Sequence, residues 1–200
     1  GHVGLALFPS KILPPHRGLK GRDAFGETVA ACHARGIGVS AYMSVIFDNW
    51  AYRHNPDWKI VGVDGKPVAE ASRYGVCCPN SPYRAYVASF TKELCDRYHF
   101  EGIRFDMTFW PHVCYCRHCR ARFAKEVGGE IPTRVHWDDE RWTAFQAKRE
   151  EWLGELKTRA ENFLHGRGED VPLGDEAGGR RETAQRQEED RHQHRERGMG

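Results

Sequence analysis

Three short apolar runs, each followed by a stretch with helical spacing, constrain this chain more than any other feature. They lie at residues 3–8 (VGLALF), 37–47 (IGVSAYMSVIF) and 100–107 (FEGIRFDM). The second is rich in β-branched and aromatic residues and nearly free of charge, as a strand covered on both faces is. Asp23 is placed to cap a helix running to about Arg35, with Phe25, Val29 and Cys32 at helical spacing and Gly36 beyond its end. Ser81-Pro82 opens another, with Ser as N-cap and Pro in the first turn. Its apolar face is Tyr83, Tyr86, Val87, Phe90, Leu94 and Tyr98. Further helices are expected over about 117–127 and 138–164. Strand, helix, strand, helix, strand, helix gives an α/β fold with a parallel sheet, because every connection is long enough for a parallel crossover.

Two architectures satisfy that order, a (β/α)8 TIM barrel and a doubly wound sheet. No Gly-rich phosphate loop follows any strand, which argues against a nucleotide-binding sheet. Long loops follow the second and third strands, and barrel enzymes build their sites from such loops. The loop over 48–80 carries Asp48, Asn49, Trp50, Tyr52, His54 and Trp58, with a tight turn at 63–67. Three strands do not close a barrel that takes roughly 250 residues, so the expectation is a partial barrel of about three βα units over residues 1–165. Further strands are expected before Gly1 and after the last helix. Residues 166–200 read as a disordered charged tail. From 174 on there is no aromatic residue, and only Ala177, Ala184 and Met199 are apolar. So abrupt a break is also what a shifted reading frame leaves.

Composition excludes several function classes. A net charge of +2 gives no basic footprint for nucleic acid. No apolar run approaches the roughly 18 residues of a membrane span. Seven cysteines are too few at this length for a disulfide scaffold.

Cys114-x-Cys116-x-x-Cys119 places three thiolates where one tetrahedral zinc can take them, given a fourth ligand. Cys78 is the leading candidate, with Cys77, His112 and His118 as alternatives. Four sulfurs make a closed, structural site, whereas an open position makes a catalytic one. Cys32 and Cys95 fall on helices as small core residues. In Gly102-Ile103-Arg104-Phe105-Asp106, alternation aims Arg104 and Asp106 to one side. Asp106 would then stand at the C-terminal mouth of the strand, held ionised by Arg104. Such a carboxylate attacks an anomeric carbon or stabilises an oxocarbenium ion. Around it, Trp50 and Trp110 offer flat faces to a sugar ring, and Asp48, Asn49, His54 and His112 offer polar groups to its hydroxyls.

The stretches His16-Arg17-Gly18-Leu19-Lys20, Ala31-Cys32-His33-Ala34-Arg35-Gly36-Ile37, Asn55-Pro56-Asp57-Trp58 and Asp64-Gly65-Lys66-Pro67 resemble the hypothetical glycosyl hydrolase 6 family, barrel proteins classed with glycosidases. The resemblance covers about residues 1–155. Cys78-Pro79-Asn80-Ser81-Pro82-Tyr83-Arg84 and Cys114-Tyr115-Cys116-Arg117-His118-Cys119 are similar to the zinc-binding segments of glycoside hydrolase family 42 β-galactosidases. That likeness implies structural zinc on Cys78, Cys114, Cys116 and Cys119 and selects Cys78 over Cys77. The Asn-Glu pair with which family 42 ends its fourth strand is absent. Gly-x-Arg-x-Asp instead looks like the fourth strand of α-amylase-type barrels, and α-L-fucosidases also place a nucleophilic Asp there. The resemblance implies a glycoside hydrolase segment acting on carbohydrate, inactive as this fragment alone. The alternatives are a non-catalytic carbohydrate-binding or scaffold domain and a zinc-dependent hydrolase. Thiolate zinc implies a reducing, cytoplasmic setting, and the full-length protein is compatible with a homo-oligomer.

Overall fold

The structure, a computed structural model, describes residues 2–70 and 74–164. The expectation of a disordered tail over 166–200 lies outside those residues. In chain order come α1 (Ala24–His33), β1 (Ser40–Ser44), α2 (Asn49–His54), β2 (Ala69–Glu70), β3 (Tyr74–Gly75), α3 (Tyr83–Arg97), β4 (Gly102–Asp106), α4 (Arg117–Glu126) and α5 (Glu140–Leu164). The result is a small mixed α/β domain with an unclosed sheet.

β1 and β4 pair in parallel, with Tyr42 opposite Arg104 and Ser44 opposite Asp106. α3 lies within the crossover between them. Along β1, Ala41 and Met43 are buried while Ser40 and Tyr42 are exposed. The sheet therefore has one covered face and one that is open at Ser40 and Tyr42 but closed over Ser44, which accepts the Val3 N–H at 2.7 Å. Arg104 and Asp106 share the open face with Tyr42, since register partners in a parallel pair point the same way. β2 and β3 form a small antiparallel pair within the loop after β1.

The helices follow their sequence signals. Asp23 accepts the Gly26 N–H at 2.9 Å and caps α1, while the Tyr98 hydroxyl donates to its other oxygen. At α3, the Ser81 hydroxyl donates to the Cys78 carbonyl at 2.7 Å and accepts from the Tyr83 N–H. Pro82 already has helical dihedrals, which is why proline is tolerated there. Tyr83, Tyr86, Val87, Phe90 and Leu94 form the buried face. α5 buries Trp142, Phe145, Trp152, Leu153 and Leu156 and packs on α3.

The first expected strand does not form. Residues 3–8 contribute only isolated bridges, Ala6 to Pro15 among them, and begin with a tight turn in which Val3 (φ 47°) and Gly4 (φ 86°) are left-handed. The constraint comes from far along the chain: a Cβ on Gly4 would lie 2.0 Å from the Asp48 carboxylate, so only glycine fits the turn that packs on that side chain. The second run forms a strand only over Ser40–Ser44; Ile46 (φ 74°) turns the chain out of that ladder, and Phe47 bridges Val76 instead. The loop over 48–80 is more ordered than expected. It holds α2, a single 3-10 turn at Pro56–Trp58 and the β2–β3 pair, with Gly65 (φ 78°) at the expected tight turn.

Candidate functional site: a carboxylate at a strand end and a four-thiol cluster

Asp106 is the last residue of β4, and the next residue, Met107, is left-handed (φ 58°). Strained backbone of this kind concentrates at functional positions. The Tyr42 hydroxyl donates to Asp106 Oδ2 at 2.6 Å across the parallel pair. That bond, followed by the Met107 N–H, holds the carboxyl below its ordinary value, and the Arg104 charge adds to it. The same bond pushes the Tyr42 hydroxyl up. Asp106 is thus an ionised acceptor on the open face. Its nearest partner is Tyr42, which sequence alternation within one strand does not reveal, because the contact runs diagonally between strands.

The residues after β1 turn into the domain. Asp48 is 1 % exposed and caps α2 by accepting the Ala51 N–H at 2.7 Å. Burial pushes its carboxyl up to about 6 against the N–H groups of Ala51 and Trp50 and the Tyr83 hydroxyl. Tyr83 also accepts the N–H of left-handed Ile46, so the first residue of α3 fixes the turn that ends β1. Asn49 Oδ1 accepts from the Gly75 N–H at 2.7 Å. Trp50 stacks on His54 with centroids 4.5 Å apart, and His54 Nδ1 lies 2.8 Å from the Trp50 carbonyl. After β4, the Trp110 indole donates to the Arg149 carbonyl at 2.8 Å, and the His112 carbonyl accepts from the Arg149 guanidinium. Phe109, not singled out by the sequence, is an exposed ring beside Phe47 in that same loop.

The cysteine cluster assembles from the loop before α3, which carries Cys78, the loop after β4, which carries Cys114 and Cys116, and the first turn of α4, which carries Cys119. The Sγ atoms of Cys78, Cys114, Cys116 and Cys119 all lie within 4.8 Å of one another, and all four residues are buried. Cys78 Sγ is 3.4 Å from that of Cys119 and 3.6 Å from that of Cys116. Bonds from the thiols of Cys114, Cys119 and Cys78 drive Cys116 strongly towards thiolate, while burial first, and then its thiol neighbours, push Cys78 up. The set can chelate a metal ion. The other sequence candidates are placed elsewhere: Cys77 directs its thiol at the Asp48 carbonyl, and His118 pairs with Asp57 at 2.8 Å. Two outer contacts escaped the sequence reading. The Asn80 backbone and side-chain N–H groups donate to Cys78 and Cys119, each at 3.4 Å. Arg149 is held below its ordinary value by burial, offset in part by the charge of Glu150 and then by those of Cys119 and Cys114.

No helix among the described residues is long and apolar enough to cross a membrane. No curated protein matches the chain. Among solved structures it is similar to α-L-fucosidase isoenzyme 2 from Paenibacillus thiaminolyticus, at 25% identity and a TM-score of 0.67, over 82% of this chain and 24% of that one. It is also similar to a β-galactosidase from Bacillus circulans sp. alkalophilus, at 17% identity and a TM-score of 0.53, over 74% of this chain and 28% of that one. The chain thus spans about a quarter of the length of these two proteins. The profile of the hypothetical glycosyl hydrolase 6 family matches residues 1–107, a span that contains both paired parallel strands and ends just after Asp106. By that match the chain belongs to the hypothetical glycosyl hydrolase 6 family.

Proposed function

We propose that the chain is part of a glycoside-hydrolase-type (β/α)8 barrel that cleaves O-glycosidic bonds, with Asp106 as its catalytic carboxylate. The observation that carries this reading is Asp106 itself: a carboxylate at the C-terminal end of a parallel strand, bonded by Tyr42 on the open face. The fucosidase and galactosidase titles of the two similar structures support carbohydrate as the substrate class. An ionised carboxylate there attacks the anomeric carbon, or stabilises the cation formed on it, with a second carboxyl group supplying the proton. Arg104 adds positive charge on the same face. The loop after β4 offers Phe109, Trp110 and His112 to the sugar. Asp48, Asn49, Trp50 and His54 act one step removed, by holding the loop after β1.

We further propose that Cys78, Cys114, Cys116 and Cys119 hold a structural zinc ion. Sulfurs around a tetrahedral zinc stand about 3.8 Å apart; Cys78 lies 3.4 Å from Cys119 and 3.6 Å from Cys116, and all four sulfurs lie within 4.8 Å of one another. Zinc there would tie the loop before α3 to the loop after β4. Four thiolates complete its coordination, which supports a structural role over a hydrolytic one. Thiols kept reduced for a metal also fit the cytoplasm.

Asp106→Asn in the full-length protein is expected to abolish aryl-glycoside hydrolysis, because a neutral amide neither attacks the anomeric carbon nor stabilises the cation formed on it, with an unchanged circular dichroism spectrum. Undiminished turnover removes Asp106 from the mechanism. The inward engagement of the residues after β1 favours a second reading, a zinc-stapled carbohydrate-binding scaffold. It requires glycan binding without turnover by the unmodified protein.

A further inference from the structure

We infer that Asn80 is an outer positioning residue of the thiol cluster, and that an ionic network on three helices fixes its amide. This rests on the reading of the four cysteines as a zinc site. Asn80 follows Cys78 by two residues, and its backbone N–H returns to that cysteine's sulfur. Its side chain has two distinct ends. Oδ1 accepts from Arg122 at 3.1 Å and from Arg84 at 3.4 Å. Guanidinium groups only donate, so the oxygen must face them and the NH2 must face the other way. There it donates to Cys119 Sγ.

Both arginines are themselves held. Arg84 on α3 and Arg122 on α4 bond the carboxylate of Glu155 on α5, at 2.8 and 2.6 Å. Arg122 also lies over the Trp152 ring and pairs with Glu126 at 2.6 Å. Arg84 donates further to the carbonyls of Pro79 and Trp152. The chain of contacts runs from Glu155 through two guanidiniums to one amide and then to one sulfur. The amide has a single orientation, and so does its N–H···S bond. Such bonds withdraw charge from a thiolate and hold it where the metal needs it, and loss of a contact of this kind typically weakens metal binding 10–100-fold. The network also links metal binding to the docking of α5, which carries Glu155.

The test is a cobalt(II) titration of the reduced 200-residue chain, followed by zinc displacement and competition with a chelator of known affinity. Asn80→Ala is expected to weaken zinc binding about 10–100-fold. It should also shift the thiolate-to-cobalt charge-transfer band to lower energy, because the sulfur loses a hydrogen-bond donor. A purely structural role for Asn80 would not move that band. If Asn80→Ala fails to fold, as read by circular dichroism at saturating metal, Asn80→Asp carries the test. It keeps the acceptor for both arginines and places an oxygen where the donor faced Cys119. Unchanged affinity and band position in the variant that folds overturn the role of Asn80 while leaving the zinc site standing. The absence of any cobalt–thiolate band in the unsubstituted chain overturns the zinc reading, and this inference with it.

Discussion

Truncating Trp152 tests whether α5 belongs to the core or lies on it, a pointed question because the family profile ends before α4. Trp152 is 0 % exposed, packs against Phe145 and lies beneath Arg122. A buried Trp takes about 150–250 Å² out of water, or about 4–6 kcal/mol at 25 cal/mol/Å², an upper bound. Measured Trp or Phe truncations cost about 3–5 kcal/mol. The lost indole bond to Glu126 adds little, because Glu126 still receives Arg122 at 2.6 Å and Lys148 at 3.2 Å. Loss of the ring under Arg122 adds about 0.5–1 kcal/mol. Trp152→Ala is therefore expected to cost about 4 kcal/mol, a large share of the roughly 5–15 kcal/mol that stabilises a typical domain. The assay is urea unfolding followed by far-UV circular dichroism at saturating zinc, with Trp152→Phe as the volume control. A loss below about 1.5 kcal/mol, the cost of a volume-conserving swap, would show that α5 does not complete the core.

Two further outcomes follow from the titrating groups. Asp48 ionises near 3.8 when unfolded and near 6 in the fold, so the unfolded state gives up its proton first and stability falls as pH rises between those values. Asp48→Asn should flatten that limb in urea midpoints taken across it, and an unchanged slope would show that the carboxylate is not desolvated. Tyr42→Phe should raise the Asp106 titration, followed by carbon-13 NMR of its carboxyl, towards an ordinary aspartate; an unmoved titration would mean that the Tyr42 bond does not form in solution.

The helices were legible because their signals are local. Asp23, Ser81-Pro82 and the spacing of Tyr83, Tyr86, Val87, Phe90 and Leu94 lie within a few residues of what they determine. The thiol cluster was legible because Cys114, Cys116 and Cys119 leave a short-range mark, with Cys78 found through its motif. The run at 3–8 was misread as a strand because nothing near it reveals that Asp48, far along the chain, occupies the space a Gly4 side chain would need. The position of Asp106 at a strand end was readable, but its main partner was not. A bond from Tyr42 depends on the register of β1 against β4, and alternation within one strand carries no register. Asn80 stands in the Cys-Pro-Asn-Ser-Pro segment, but the two arginines that orient its amide come from different helices, which no local pattern reveals.

The span of the thiol cluster affects the unfolded chain as well as the folded one. Cys78 stands 38 positions from Cys116 and 41 from Cys119, so a metal held between them closes a loop that contains all of α3 and β4. Held in the unfolded chain as well, a cross-link of that span would remove about 4 kcal/mol of chain entropy from the unfolded ensemble. Asp106 lies inside this loop and Tyr42 outside it. With the proposed zinc in place, β4 would search fewer arrangements before it finds β1, and the metal would favour the Tyr42–Asp106 pair while touching neither residue.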